Sequence, residues 1–336
     1  MFRAVFSFVA CLACCQPASA IILFTKEGRQ LTPPTDPDMR RCWDAHGSWH
    51  GVTGITVSPN WFITVAHVGS HPGGFFELNG KSYLTEEVVA VPHSDLLLYR
   101  VNGEFANWVE LWDDTCGQEV RRPTLLLGRG TVRGEEISLP GFPSPGWLWG
   151  ESDGKLSWGT NEISDILDAG PDLGPVLIWS WDRSAGETEG TLSSGDSGGG
   201  AFLRDNKSQW RLAGVHFDVD PSVGGGETHY SLNESGEPSF FAAIHDGRGI
   251  WRGIVGLPFT KLDPEAVKPI PMWAGSTRIQ PHANFIRDVI KPGSTIGSQF
   301  RPQTLLSLRK ICVAIAGIAA LLTMLLYLRL RRRMLI

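Results

Sequence analysis

Between residues 21 and 270 no segment sustains a helical period. Apolar residues come instead in short β-branched and aromatic runs, cut every 8–12 residues by turn-forming text. Such a chain is read as all-β, a sandwich or a barrel. The 39 glycines and 22 prolines suit many turns. "GVTGITVS" and "WFITV" flank Pro59-Asn60 and predict a hairpin; "EEVVAVPHSDLLLYRV" (86–101), "PTLLLG" (from 123), "PVLIWSWD" (from 175) and "QWRLAGVHFDV" (209–219) add further strands. Only "QPHANFIRDVI", 280–290, carries the spacing of an amphipathic helix, with Ala283, Phe285, Ile286, Val289 and Ile290 apolar.

Both ends read as targeting segments. Arg3, an apolar run and Ala18-Ser19-Ala20 form a secretory signal peptide over 1–20. Residues 291–310 read as a linker, 311–328 as a single transmembrane helix and 329–336, with four arginines, as a cytoplasmic basic tail. The protein is then exported, membrane-anchored at its C-terminal end, and holds residues 21–290 outside the cytoplasm, in a periplasm or at a cell surface. Arg3 and six basic residues from 309 onward lie in the end segments, which leaves 21–308 with 23 basic against 35 acidic side chains. A surface that acidic argues against nucleic acid as a partner. Of six cysteines only Cys42 and Cys116 fall in this region, available for one disulfide in an oxidising compartment. No Cys/His spacing indicates a metal, and no cofactor is expected.

The chemistry-bearing text is "GTLSSGDSGGGAF", 190–202. A serine hydroxyl attacks only with a base to take its proton, a third group to orient that base, and N–H donors for the oxyanion that forms. Ser197, His67 in "TVAH" and Asp95 in "DLLL" supply the three side chains, in the chain order His, Asp, Ser. Taken singly each has a plainer reading: a glycine loop, a structural histidine, a turn cap. Their joint occurrence favours the sharper one.

Three segments carry a family resemblance. "SPNWFITVAHV", "SDLLLYRV" and "GDSGGGAF" resemble the histidine, aspartate and serine segments of the trypsin/chymotrypsin-like serine endopeptidases, with Gly200 where that family usually has proline. "GSTRIQPHANFIRDVI" resembles its closing strand and helix; "LLLGRGTVRGEE" and "SWGTNEISD" look like bacterial exported members. The resemblance implies two six-stranded antiparallel β-barrels with a C-terminal helix. It implies Ser197 as nucleophile, His67 as base, Asp95 as its orienter, and the amides of Gly195 and Ser197 as oxyanion hole. It also implies an ion pair between Asp196 and a new N-terminus at Ile21, exposed by cleavage after Ala20. Thr191, Leu192, His216 and Ala274 fall on the substrate pocket. Thr191 stands where trypsin has an acid, and His216 where glutamyl endopeptidases have a histidine. Residues 220–273 form an apparent insertion. The function implied is hydrolysis of peptide bonds in protein substrates; the alternative is a catalytically silent domain that serves as a binding module.

Overall fold

The computed structural model describes residues 21–138, 144–219, 228–231, 242–254, 259–263 and 265–294. The segments expected to be a signal peptide (1–20), most of the linker, a membrane span (311–328) and a basic tail (329–336) lie outside the described residues. Among those described, no helix is long and apolar enough to cross a membrane.

The first half is a closed six-stranded antiparallel barrel. Its order is His46–Trp49, Val52–Ser58, Trp61–Val65, Leu96–Val101, Lys81–Val91 and Phe75–Leu78, with Ser48 opposite Glu77 at the closure. The hairpin around Pro59-Asn60 is present as expected, Ser58 facing Trp61. Stacked rings fill one side of this barrel: Phe62 lies 4.0 Å from Phe76 and 5.1 Å from Tyr99, centroid to centroid.

The second half departs from the expected six-stranded barrel. It is a seven-stranded sheet, a half-barrel, in the order Ser157–Glu162, Pro123–Gly128, Gly200–Arg204, Trp210–Val219, Trp273–Arg278, Pro175–Ser180 and Asp165–Asp168. The reason lies at Ile163-Ser164. There the chain breaks one run into two strands, the first pairing with Pro123–Gly128 and the second with Pro175–Ser180. The amides of Ile163 and Ser164 turn to the carbonyls of Arg122 and Ile178. The two edges of the sheet are therefore consecutive in sequence instead of bonded to each other.

One apolar cluster joins the halves. It runs from Ile55, Ile63 and Leu98 of the barrel through Leu125, Leu127 and Phe202 of the sheet to Ile286 and Val289 of the helix Ala283–Ile290. Each such side chain, fully buried, contributes roughly 1.5–3 kcal/mol, so the halves are held by the core itself. A second helix, Pro37–Asp44, is not legible as a period because four of its eight residues, Asp38, Arg40, Arg41 and Asp44, are charged. Its start is marked locally: Asp36 accepts the amides of Asp38 and Met39 at 2.9 and 3.0 Å, and Pro37 follows it. Cys42 and Cys116 are separate buried thiols, each 3.5 Å from an oxygen of its own segment and in different clusters. Within the 220–273 insertion, Ala242–Ile244 pairs with Gly146–Trp149, and Trp251–Ile254 pairs with Thr228–Ser231 and Thr260–Lys261.

Candidate active site

Strand pairing brings the first two residues together. Val65 pairs with Leu96 on the neighbouring strand, so His67, two residues past one strand, and Asp95, one residue before the other, meet at the same end. The ladder continues one step further, Ala66 N donating to the Asp95 carbonyl at 3.0 Å. Asp95 is buried, 5% exposed. Its Oδ1 accepts the amides of His67 at 2.7 Å and Ala66 at 3.1 Å, while its Oδ2 lies 2.5 Å from His67 Nδ1. Two backbone donors and an imidazole thus fix both oxygens.

The 190–202 loop docks the third residue against the barrel. The Ser197 carbonyl accepts from Thr53 N at 2.9 Å, and Gly198 N donates to the His216 carbonyl at 3.0 Å. Ser197 Oγ then sits 2.9 Å from His67 Nε2. The glycines are required by close backbone approach. A Cβ on Gly198 would lie 1.9 Å from the Thr53 carbonyl oxygen, and one on Gly199 2.2 Å from that of Leu127. Gly195 has φ +90°, a conformation open chiefly to glycine. Among the described residues, neither the Gly195 nor the Ser197 amide donates to a protein acceptor. Phe217, whose ring centroid is 6.2 Å from that of His67, was not singled out by sequence.

Asp196 is completely enclosed, 1% exposed. Burial pushes its carboxyl up to about 6, against hydrogen bonds from Ser193 N, Gly130 N, Ser193 Oγ and the Ile21 amide. Ile21, Ile22 and Leu23 have no exposed surface, and Ile22 and Leu23 pair with Thr191 and Gly190. Sequence reading gave no physical account of Gly128 and Gly130. A Cβ on either would lie within 2.5 Å of an Asp196 carboxylate oxygen, so these glycines make the cradle for that acid. The alternate glycines of "LGRG" were the available signal.

The four expected pocket residues are all buried: Thr191, His216 and Ala274 at 0% exposure and Leu192 at 2%. His216 Nδ1 lies 2.9 Å from Ser276 Oγ, and burial, helped by His46, pushes its pKa down to about 3. No group of three or more metal-ligating side chains occurs among the described residues.

Glu189, beside Gly190–Thr191, also was not singled out. Its Oε1 accepts the Asp182 amide at 2.5 Å, and its Oε2 is buried without a partner. Burial pushes its carboxyl up to about 7, aided by the charge of Asp182 and opposed by that amide. A carboxyl raised on folding binds its proton more tightly in the folded state, so its contribution to stability falls as pH rises from about 4.5 to about 7. Glu189→Gln keeps the acceptor and removes the charge. It is expected to be more stable than wild type at pH 8, by on the order of 3 kcal/mol, and equal to it below pH 4.5. Urea unfolding at both pH values checks this; a difference of the same size at each would reject it.

No model of a protein family matches the sequence, and no curated protein matches it. Solved structures do. The Rv3671c protease of M. tuberculosis H37Rv, in its inactive form, aligns with TM-score 0.39 and 16% identity, over 56% of this chain and 87% of that one. Neuropsin, a serine protease of mouse brain, aligns with TM-score 0.45 and 13% identity, over 79% and 99%. The passenger domain of plasmid-encoded toxin, an autotransporter enterotoxin of enteroaggregative Escherichia coli, aligns with TM-score 0.42 and 12% identity, over 71% and 22%.

Proposed function

We propose that the protein is a serine endopeptidase that cleaves protein substrates outside the cytoplasm, exported by residues 1–20 and tethered by 311–328. The observation that carries this reading is the unbroken chain of contacts Ser197 Oγ, His67 Nε2, His67 Nδ1, Asp95 Oδ2, at 2.9 and 2.5 Å. Ser197 Oγ attacks the scissile carbonyl carbon as its proton passes to His67 Nε2. The negative oxygen is held by the Gly195 and Ser197 amides. Collapse breaks the C–N bond, His67 gives its proton to the leaving amine, and water, deprotonated by His67, then hydrolyses the acyl ester.

Labelling with a fluorophosphonate probe tests this. Wild type is expected to take one equivalent and Ser197→Ala none; labelling that persists in Ser197→Ala, or fails in both, would overturn the reading. The sequence resemblance assigns Thr191, Leu192, His216 and Ala274 to the substrate pocket, and all four side chains lie beneath the protein surface. His216, neutral through burial, gives an acidic side chain no charge to pair with. Cleavage of a peptide library is expected to favour uncharged over acidic residues before the scissile bond, and a dominant Glu or Asp preference would contradict that assignment.

A further inference from the structure

Residues Ile21 to Phe24 face two different interiors. Ile21 and Leu23 pack with Leu126, Trp179 and Ala274 of the seven-stranded sheet. Ile22 packs instead with Ile137, Trp181, Ile244, Ile250 and Met272, the last three from the 220–273 insertion. Alternate side chains of an extended segment point to opposite sides. Ile21, Ile22 and Leu23 have no exposed surface, so both sides of the segment need a wall. The sheet is one wall, and the insertion supplies most of the other.

Phe24 completes this second wall. Its ring stacks on Trp181, with centroids 4.2 Å apart and planes 15° from parallel. It meets Trp147 and His245 edge-on, at 5.8 and 5.5 Å. Such ring contacts stabilise beyond the area they bury. His245 belongs to the insertion, and burial pushes its pKa down to about 4, so a neutral ring faces Phe24. The insertion also holds the two tryptophans. Trp147 pairs with Ala243, and Trp181 N donates to the Met272 carbonyl at 3.1 Å. Arg133 fastens the backbone of the same segment. Its Nη1 donates to the Leu23 carbonyl at 2.8 Å and its Nη2 to that of Lys26 at 2.9 Å, while the guanidinium lies 4.5 Å from the centre of the Trp147 ring.

We propose that the insertion and this aromatic socket clamp the segment 21–24, with Phe24 as a positioning residue for the loop that carries Ser197. The path between them is short. Ile22 and Leu23 pair with Thr191 and Gly190, at the start of that loop. The Ile21 amide bonds to the carboxylate of Asp196, which lies between Gly195 and Ser197. A ring fixed in the socket sets the register of 22–23 against 190–191, and with it the place of Ile21 beside Asp196. His67 and Asp95 stand at the end of the six-stranded barrel, outside this path. The effect on catalysis rests on the proteolytic reading; the clamp itself does not.

Amide hydrogen exchange on the full chain tests the clamp. The reporters are the amides of Ser193 and Asp196, which donate to the Asp196 carboxylate and the Ser193 carbonyl; the control is Ala66, whose amide donates to Asp95 at the barrel end. Phe24→Ala is expected to speed exchange at the reporters by about tenfold or more and to leave Ala66 within about twofold of wild type. Ile250→Ala trims the insertion's side of the socket, leaves Phe24 in place and is expected to do the same, so misfolding of Phe24→Ala would not leave the clamp undecided. Phe24→Tyr keeps the ring and is expected to exchange like wild type. In steady-state hydrolysis Phe24→Ala is expected to lower kcat by about tenfold or more with KM within about twofold, since oxyanion donors act in the transition state, and Phe24→Tyr is expected to restore it. Acceleration shared equally by Ala66 would make Phe24 a residue of global stability alone and overturn the proposal. So would unchanged exchange at the reporters, Phe24→Tyr as fast as Phe24→Ala, or selective acceleration with kcat unchanged. Selective acceleration in a protein whose wild type hydrolyses no peptide and takes no fluorophosphonate would keep the clamp and sink the proteolytic reading alone.

Discussion

Asp95→Asn is expected to lower kcat by about 10⁴-fold with the fold intact. The size of this loss follows from how the two oxygens of Asp95 are held. Oδ1 faces two backbone donors, the amides of Ala66 and His67, while Oδ2 faces His67 Nδ1. An asparagine side chain has one acceptor and one donor group. Its NH₂ cannot sit against two N–H groups, so its oxygen must take the Oδ1 position. The NH₂ then points at His67 Nδ1 and donates to it. That forces the ring proton onto Nε2, the nitrogen 2.9 Å from Ser197 Oγ. A nitrogen that already bears a proton cannot take one from the serine. The substitution therefore removes the base while leaving Ala66, His67 and the barrel end in place. Steady-state hydrolysis and the rate of fluorophosphonate labelling both read this, with thermal unfolding as the control for folding. A loss of less than tenfold in a folded variant would mean that Asp95 does not set the tautomer.

The constellation was legible because each part is written locally. A strand followed by "AH", an acid opening the next strand and a serine among glycines keep their meaning wherever the fold carries them. The hairpin at Pro59-Asn60 was legible for the same reason. What escaped were features made by distant segments. The break at Ile163-Ser164 depends on which neighbours the two strand halves find, Leu125 and Ile178 being far apart in sequence. Gly128 and Gly130 look like ordinary turn glycines until Asp196, more than sixty residues later, is placed against them. The charge of Arg129 and the acceptor of His46 are unremarkable in sequence. They become informative only once Arg129 Nε and His46 Nε2 are seen to be buried with no partner. That the glycines of "GDSGGGAF" serve backbone geometry is legible in the sequence, but which carbonyl each glycine must clear, Thr53 for Gly198 and Leu127 for Gly199, is a property of the packed halves.

Cleavage immediately before Ile21 is expected to raise activity by about 10²–10³-fold, the value of one oxyanion-hole donor, over a chain that keeps Ala20. Asp196 directly precedes Ser197 and directly follows Gly195, so whatever fixes its carboxylate fixes both proposed donors. In the continuous chain the Ile21 amide is one of the groups that bond to this carboxylate. Ile21 pays for that position with φ +39°, a region that β-branched side chains disfavour. Cleavage before Ile21 makes its backbone nitrogen a free terminus, and turns a neutral N–H into an ammonium beside a fully buried acid. The pH dependence of stability should then change sign. In the continuous chain burial raises the Asp196 carboxyl from 3.8 to about 6. The folded state then holds the proton more tightly than the unfolded one, and the contribution of Asp196 falls as pH rises between those values, by on the order of 3 kcal/mol. In the chain beginning at Ile21 the ammonium favours the carboxylate, so the contribution is present near neutrality and is lost as pH falls. Unfolding free energies of wild type and Asp196→Asn, each in both forms from pH 4 to 7, isolate this one group. Parallel pH profiles in the two forms, or equal activity with and without Ala20, would show that Asp196 is satisfied by Gly130 and Ser193 alone.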